Sequence, residues 1–463
     1  MTSSNEFEAQ LSALVHPHEI ITPASPDYQP SIETWASQKQ QHPRIVLRPT
    51  SIDSLSQAIA YLYSTDLDFA IYGHGFMSTS AKDVVVNMTA FDEFHLDSHS
   101  ELVTIGAGLT WAEVFRKLGE AAPDYGIVGA RTPGVGVAGT IISGGFSWLS
   151  SEHGCISDPA NMLDAKVVKH DGSVVWASAE PELLWALRGG GGGFGVVVQF
   201  VLRVFRYPQK IWAGPILIPR EQLSQVAKGI ARLVSEPVDP KVTMFFYVMK
   251  KRLLQSIRAD SDMLVIHAFD AHGEGHGRAN FQWALDIPGT VDQTRVMTLA
   301  GVADLQDQVQ IAKGTMKQFW SPMLLRDVSE DIIMRTMKWF EEIEALNPSF
   351  ADCTYVIFEI LSSRDPAGSA SRCAWPRPVG TKHILLLGVG CPSDAGPDEE
   401  NVARELAIHA PEKVLGAGEE VHHIPSGFED YHDPEKIWGA HFPHLQHLRR
   451  QYDPRSRFKA MIA

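Results

Sequence analysis

Three glycine-rich turns carry residue types that could grip a phosphate-bearing ligand. The first is Tyr72, Gly73, His74, Gly75, Phe76, Met77, Ser78 and Thr79, directly after the apolar run FAI. A strand that ends in a glycine-punctuated turn with hydroxyls behind it exposes successive backbone N–H groups, and such a nest holds a pyrophosphate. An ordinary tight turn would show the same pattern. The second is Thr132, Pro133, Gly134, Val135, Gly136, Val137, Ala138 and Gly139, followed by Ser143, Gly144 and Gly145. Its G-V-G-V-A-G string matches a dinucleotide fingerprint, but no clear strand leads into it and no acidic residue closes a βαβ unit, so a Rossmann fold is disfavoured. What survives is backbone amides that can approach a bulky ligand with no Cβ in the way. The third runs from Arg188 through five glycines, Gly189 to Gly193, to Phe194 and Gly195. Its flanks, LLWALR and the apolar VVVQFVLRVF that begins at Val196 and Val197, indicate an ordered turn rather than a linker.

Other candidates for chemistry are fewer. His422, His423, His432, His441, His444 and His447 cluster near the end of the chain, but no carboxylate or cysteine completes a recognisable ligand spacing, and no metal site is predicted. Phe245, Phe246, Tyr247, Tyr355 and Phe358 alternate on strand-like runs, which sends half of them to a core and half to the other face. With the opposite parity from their neighbours, Tyr247 and Tyr355 are candidates for that second face.

The elements that must position these turns follow from texture. Between Arg44 and Tyr207, short β-branched runs (IVLRP, VVVNM, LVTIGAG, VVWAS) are interrupted by helical patterns at SLSQAIAYLYS, TWAEVFRKLGEAA and EPELLWALRG. Ser54, Thr110 and Glu180, or polar residues nearby, are placed to serve the first turns of those helices. From Ile211 to Ser393, longer strand-like runs alternate with amphipathic helices, which predicts a sheet covered on one face. The closing stretch EKIWGAHFPHLQHLRRQY reads as one helix stopped by Asp453 and Pro454, with Ile437, Phe442, Leu445 and Leu448 at helical spacing.

Composition narrows the function classes. Of 463 residues, 44% are hydrophobic and 21% charged, as in ordinary globular proteins, and at about 150 residues per domain the length allows two or three units. A net charge of −15 repels phosphate backbones and anionic lipid. The basic strings RYPQK and LRRQY are short and broken, so nucleic acid is not an expected partner. The N-terminal residues lack a basic patch followed by an apolar run, and no window approaches about 18 uninterrupted apolar residues, so neither secretion nor a membrane is expected. Four cysteines, Cys155, Cys353, Cys373 and Cys391, read as free thiols of a cytoplasmic protein.

Taken together with ISDPANMLDAKVVKHDGSVVWAS and WGAHFPHLQHLRRQYDPRSRF, the three turns resemble the FAD-binding domain of the vanillyl-alcohol oxidase and p-cresol methylhydroxylase superfamily, and most closely its berberine-bridge-enzyme-like branch. The resemblance is close over 44–207 and moderate at the C-terminal segment. It implies an α+β fold with a two-lobed FAD-binding domain over 1–208, a substrate domain over 209–415 whose antiparallel sheet is covered by helices on one face, and a segment 416–463 that returns to the first domain. FAD would be held by the first turn from Gly73 to Thr79, by the second over Thr132, Pro133, Gly134, Val135, Gly136 and Gly139 toward Ser143 and Gly144, and by Ile156, Asp158, Val196, Val197 and His441.

Departures from the family pattern matter as much. Members with a covalent flavin place histidine where this chain has Phe76, and bicovalent members place cysteine where it has Thr132; noncovalent FAD is the expectation. The tyrosine that many members use as a base falls on Phe428, which leaves Tyr431, Asp430 and His441 as candidate catalytic groups. The resemblance implies an FAD-dependent oxidoreductase acting on a small organic substrate, with molecular oxygen as acceptor and a place in secondary metabolism. The missing histidine, cysteine and tyrosine also fit a redox-neutral isomerase or cyclase that retains FAD as a structural cofactor.

Overall fold

The computed structural model describes residues 4–235, 239–250, 261–306, 312–361, 372–378, 380–416, 418–425, 431 and 433–462. Three sheets organise them. The first contains β1 (Ile20–Ile21), β2 (Ile45–Leu47), β3 (Phe69–Tyr72) and β4 (Val84–Asn87) in the order β1-β2-β4-β3, with β2, β4 and β3 parallel. The second is built on β10 (Val196–Arg206). That strand pairs on one side with β6 (Leu102–Gly106) and on the other with β8 (Met162–Val168) and, further along, β7 (Tyr125–Ile127). β5 (Phe94–Asp97) and β9 (Val174–Trp176) close the two edges.

The third sheet has nine strands, all antiparallel. They are β11 (Ile211–Pro219), β12 (Val242–Met249), β13 (Met263–Asp270), β14 (Val291–Asp292), β15 (Arg295–Met297), β16 (Met316–Leu325), β17 (Tyr355–Ile360), β18 (His383–Pro392) and β19 (His422–His423). Their order is β14-β11-β13-β12-β17-β18-β16-β19, with β15 on β11. The period-2 alternation divides this sheet as expected. Met244, Phe246, Phe358 and Leu385 join a core with the helices Leu223–Ser235, Glu274–Leu285 and Glu330–Leu346. Phe245, Phe269, Leu324 and Ile384 face the other way and share a core with the second sheet, and Tyr247 packs against that core. The α+β architecture read from the sequence is the one observed, with helices on one face of the large sheet.

Local chemistry fixes the helix starts. Thr110 and Glu113 form a reciprocal capping box at the helix Trp111–Ala121, with Thr110 N donating to Glu113 Oε2 at 2.7 Å. Ser54 is not the cap of its helix: Ser51 is, accepting from Ser54 N at 3.1 Å, while the Ser54 hydroxyl donates to buried Glu19 at 2.5 Å. The closing helix is also broken. Gly439 takes φ +48°, which separates Pro434–Trp438 from Phe442–Tyr452 and aims Trp438 Nε1 at the carbonyl of Gly189, 2.9 Å away. Among the described residues, no helix is long and apolar enough to cross a membrane.

Candidate functional site

The three glycine-rich turns meet along one cleft of about 370 Å³, within the range of cofactor sites. The first turn leaves β3 and is pinned from outside, where Trp35 N donates to the Gly75 carbonyl at 2.8 Å and Ala36 N donates to Ser78 Oγ at 3.0 Å. Its residues Gly73 to Thr79 line the cleft. Phe76 stacks on Trp35 with ring centroids 5.0 Å apart, so its aromatic side chain is part of a packed wall. His74 lies deeper. Burial pushes its imidazole down to about 4, and its Nδ1 has no hydrogen-bond partner among the described residues.

The second turn is bolted to the helix Trp111–Ala121, since Trp111 N donates to the Val135 carbonyl at 3.0 Å and Ala112 N to the Pro133 carbonyl at 2.7 Å. Val135, Gly136, Gly139 and Ser143 line the cleft, while Thr132, Pro133 and Gly134 are buried behind them. A Cβ on Gly136 would stand 3.0 Å from His74 Nδ1, so the two turns approach each other because this residue has no side chain.

The third turn supplies Gly191, Gly192 and Gly193, and Val196 and Val197 follow it into the cleft. The glycine run was recognised in the sequence, but what it packs against was not. A C-terminal strap, Phe458, Lys459, Ala460 and Met461, forms a further wall of the same cleft. Arg449, only 3% exposed, holds strap and turn together: it donates to the carbonyls of Gly193, Phe458 (2.5 Å) and Ile462 (3.1 Å) and pairs with fully buried Asp453 at 2.5 Å. At Gly193, where φ is +90°, a Cβ would come within 2.7 Å of Ala460 Cβ. Periodicity marks Arg449 only as one more basic helix residue, so no signal in the sequence singles it out.

Gly144, Ile156, Asp158 and His441 lie away from the cleft lining. Asp158 is fully buried and accepts both arms of Arg377, at 2.8 and 3.0 Å, together with Cys155 N at 2.8 Å. Gly144 abuts Trp375, and His441 Nδ1 is 3.2 Å from the Ala374 carbonyl. All three therefore bind the segment Cys373, Ala374, Trp375 and Arg377 to the flanks of the second and third turns. Ile156 packs against Gly145. Burial and Asp158 push the Cys373 thiol up, and Arg377 is pushed up by the thiols and carboxylate around it.

Tyr431 donates its hydroxyl to the Trp320 carbonyl at 2.5 Å and packs against the helix-covered core. Asp430, Phe428 and His432 lie outside the described residues. The titratable groups on the opposite face of the sheet are different ones. Glu359 of β17 lies 3.4 Å from Arg131, the residue before the second turn, and both are nearly buried. Burial pushes the Glu359 carboxyl up, with Arg131 opposing. Arg131 also sits over the Phe245 ring at 4.9 Å, and its Nε has no hydrogen-bond partner among the described residues. Tyr247, pushed up to about 12 by burial, and His267, pushed down to about 3 by burial, complete the group, with His267 Nδ1 2.7 Å from Gln306 Nε2. The alternation that separates Tyr247 and Tyr355 from Phe246 and Phe358 also places Glu359 beside them; that signal was present in TYVIFEIL.

The residues fit FAD. The glycines leave room where a Cβ would intrude, His74 Nδ1 offers an unmet hydrogen-bonding atom, and Lys39 and Lys459 bring positive charge to the cleft of an acidic chain. A model of the FAD-binding domain matches residues 43–178. The FAD-dependent monooxygenase prx3 of Penicillium roqueforti is 24% identical over 96% of this chain and 90% of that protein. The FAD-dependent monooxygenase tpcD of Cochliobolus heterostrophus is 28% identical over 66% of this chain, a match that spans 60% of that protein's length. Among solved structures, 6-hydroxy-D-nicotine oxidase from Arthrobacter nicotinovorans has the same fold, with TM-score 0.78, 19% identity and coverage of 96% and 97% of the two chains. A berberine bridge enzyme variant in complex with (S)-reticuline also shares it, with TM-score 0.80, 16% identity and coverage of 100% and 99%.

Proposed function

We propose that this chain is a member of the vanillyl-alcohol oxidase and p-cresol methylhydroxylase superfamily and that it oxidises a small organic substrate of secondary metabolism with FAD held noncovalently in the three-turn cleft. The observation that carries the reading is the convergence of the turns around His74 and Gly136, with the strap as a further wall. Phe76 and Thr132 offer no atom that can form the family's flavin bonds, and among the described residues no cysteine lines the cleft. When bound, FAD accepts the two electrons that leave the substrate.

The chain's own contribution is positioning and proton transfer. The first and second turns and Lys39 hold the cofactor, and the face of the large sheet turned toward Arg131 holds the substrate. Of the proton acceptors expected from the sequence, Tyr431 is committed to the Trp320 carbonyl, His441 to the segment around Ala374, and Asp430 lies outside the described residues. Glu359 is the carboxylate on the sheet face turned toward the flavin-binding lobe. Its burial raises its basicity, as a general base requires, and Arg131 orients it. Molecular oxygen is the proposed acceptor of the electrons.

A second reading has one observation in its favour: both tether positions are occupied by residues that cannot tether, Phe76 in an aromatic wall and Thr132 buried. A redox-neutral isomerase or cyclase would need FAD only as scaffold. Mixing anaerobic protein with candidate substrates separates the two. Oxidation predicts that the flavin absorbance near 450 nm bleaches on substrate addition and returns with air; turnover with the flavin still oxidised would establish the second reading instead.

A further inference from the structure

Away from the cleft, the open end of the β12–β13 pair carries two imidazoles and a carboxylate turned toward one another. We propose that Asp239, His272 and His276 form a site for a borderline divalent transition cation, with Zn²⁺ the ion whose chemistry the donor set fits. One ligand atom from each residue lies within 4.8 Å of the other two. His272 Nε2 is 2.9 Å from Asp239 Oδ2, and the imidazole rings stand 4.6 Å apart with their planes at 58°. Ligands at about 2.0–2.1 Å from a tetrahedral ion are roughly 3.3 Å from each other, so the Asp239–His272 edge needs to open by only a few tenths of an ångström.

What separates this group from a surface ion pair is the support behind it. Asp270 is fully buried, and its two oxygens serve the two histidines: Oδ1 accepts the His272 backbone N–H at 2.9 Å, and Oδ2 lies 2.7 Å from His276 Nδ1. Asn280 donates to the same carboxylate at 3.2 Å. A carboxylate on Nδ1 fixes the tautomer, frees Nε2 and raises its basicity, which is how ligating imidazoles are held. Asp239 is oriented in the same way, because Lys241 N donates to its Oδ1 at 2.8 Å and leaves Oδ2 toward His272. A lone ion pair would need neither the second imidazole nor the buried aspartate.

The position suggests a staple rather than a catalytic centre. Val242 and Asp270 are register partners, so Asp239 precedes the start of one strand while His272 and His276 follow the end of its neighbour. An ion there would join the two strand ends. Lys241 lies 3.8 Å from Glu152 Oε2, and Glu152 accepts from the Tyr207 hydroxyl at 2.9 Å, so the staple sits beside the seam with the flavin-binding lobe. All three ligands are partly exposed, which leaves a fourth position to water.

The test is a calorimetric and thermal-unfolding titration of the purified full chain with ZnCl₂, run beside MgCl₂ and CaCl₂. Because other histidines can take up zinc, the reading is the difference between the natural chain and a His272→Ala/His276→Ala double variant. These positions are exposed, so the variant keeps its fold. The expected result is one additional equivalent in the natural chain, a raised unfolding midpoint only there, and no response to magnesium or calcium, which require more oxygen ligands. Asp270→Asn should weaken zinc binding about tenfold to a hundredfold while sparing the stoichiometry. Equal zinc uptake by the double variant, or a midpoint that zinc does not move, would overturn the proposal.

Discussion

Single residues shape the site both through side chains that are absent and through side chains that burial holds in unusual states. Glu359 is the proposed proton acceptor, and Glu359→Gln keeps its shape while removing its basicity. Activity should fall by about 10²- to 10⁴-fold with flavin absorbance and substrate binding retained, and the acidic limb of the pH–rate profile should disappear. A variant within threefold of the natural rate, with the limb intact, would return the role to another group. Burial also pushes His74, His153 and His423 down to about 4, and His267 and His383 down to about 3. Each is neutral in the folded chain and takes a proton more readily when unfolded. Their contribution is therefore complete above pH 6.5 and is lost as pH falls toward 4 and 3. Denaturant melts should show this contribution level from pH 7.5 to 6.5 and falling from there to pH 4.5, and a profile flat down to pH 4.5 would contradict these burials. Gly73 to Thr79 could be read because a glycine-punctuated turn after a strand has a physical meaning on its own. Glu359 and Arg131 were missed because their meaning depends on a partner more than 200 positions away in the chain.

Elements explain why the turns stay in place. The capping box at Thr110 fixes where the helix Trp111–Ala121 begins, and that helix carries the second turn through Val135 and Pro133. Period-2 alternation correctly sorted Phe246 and Phe358 from Tyr247, since a strand leaves a side chain two choices. The closing helix was harder, because the break at Gly439 follows from the place Trp438 occupies under Gly189, not from local propensity. The strap belongs to this scale as well. Arg449→Met should leave the large sheet folded but speed FAD release and raise hydrogen exchange over 454–462, because the buried partner of Asp453 and the clamp on Gly193 go together. Unchanged FAD release with an unchanged exchange pattern would show that the strap holds nothing.

Over the whole molecule, two bodies of structure face each other across one seam, and the seam explains which expected cofactor residues stand elsewhere. Asp158, Gly144 and His441 fasten Arg377, Trp375 and Ala374 beside the glycine turns. Residues expected at the cofactor are thus engaged in packing against that segment instead. A sequence shows that such residues recur near a cleft; which side of the wall they occupy depends on the tertiary contacts. On the proposed reading, three turns and a strap wrap one untethered FAD. The visible spectrum of freshly purified protein, recorded before and after acid precipitation for the natural chain and for Gly136→Leu, tests it most directly. The flavin spectrum should pass wholly into the supernatant from the natural chain and be absent from a folded Gly136→Leu variant. A yellow pellet, or a Gly136→Leu protein as yellow as its parent, would contradict it.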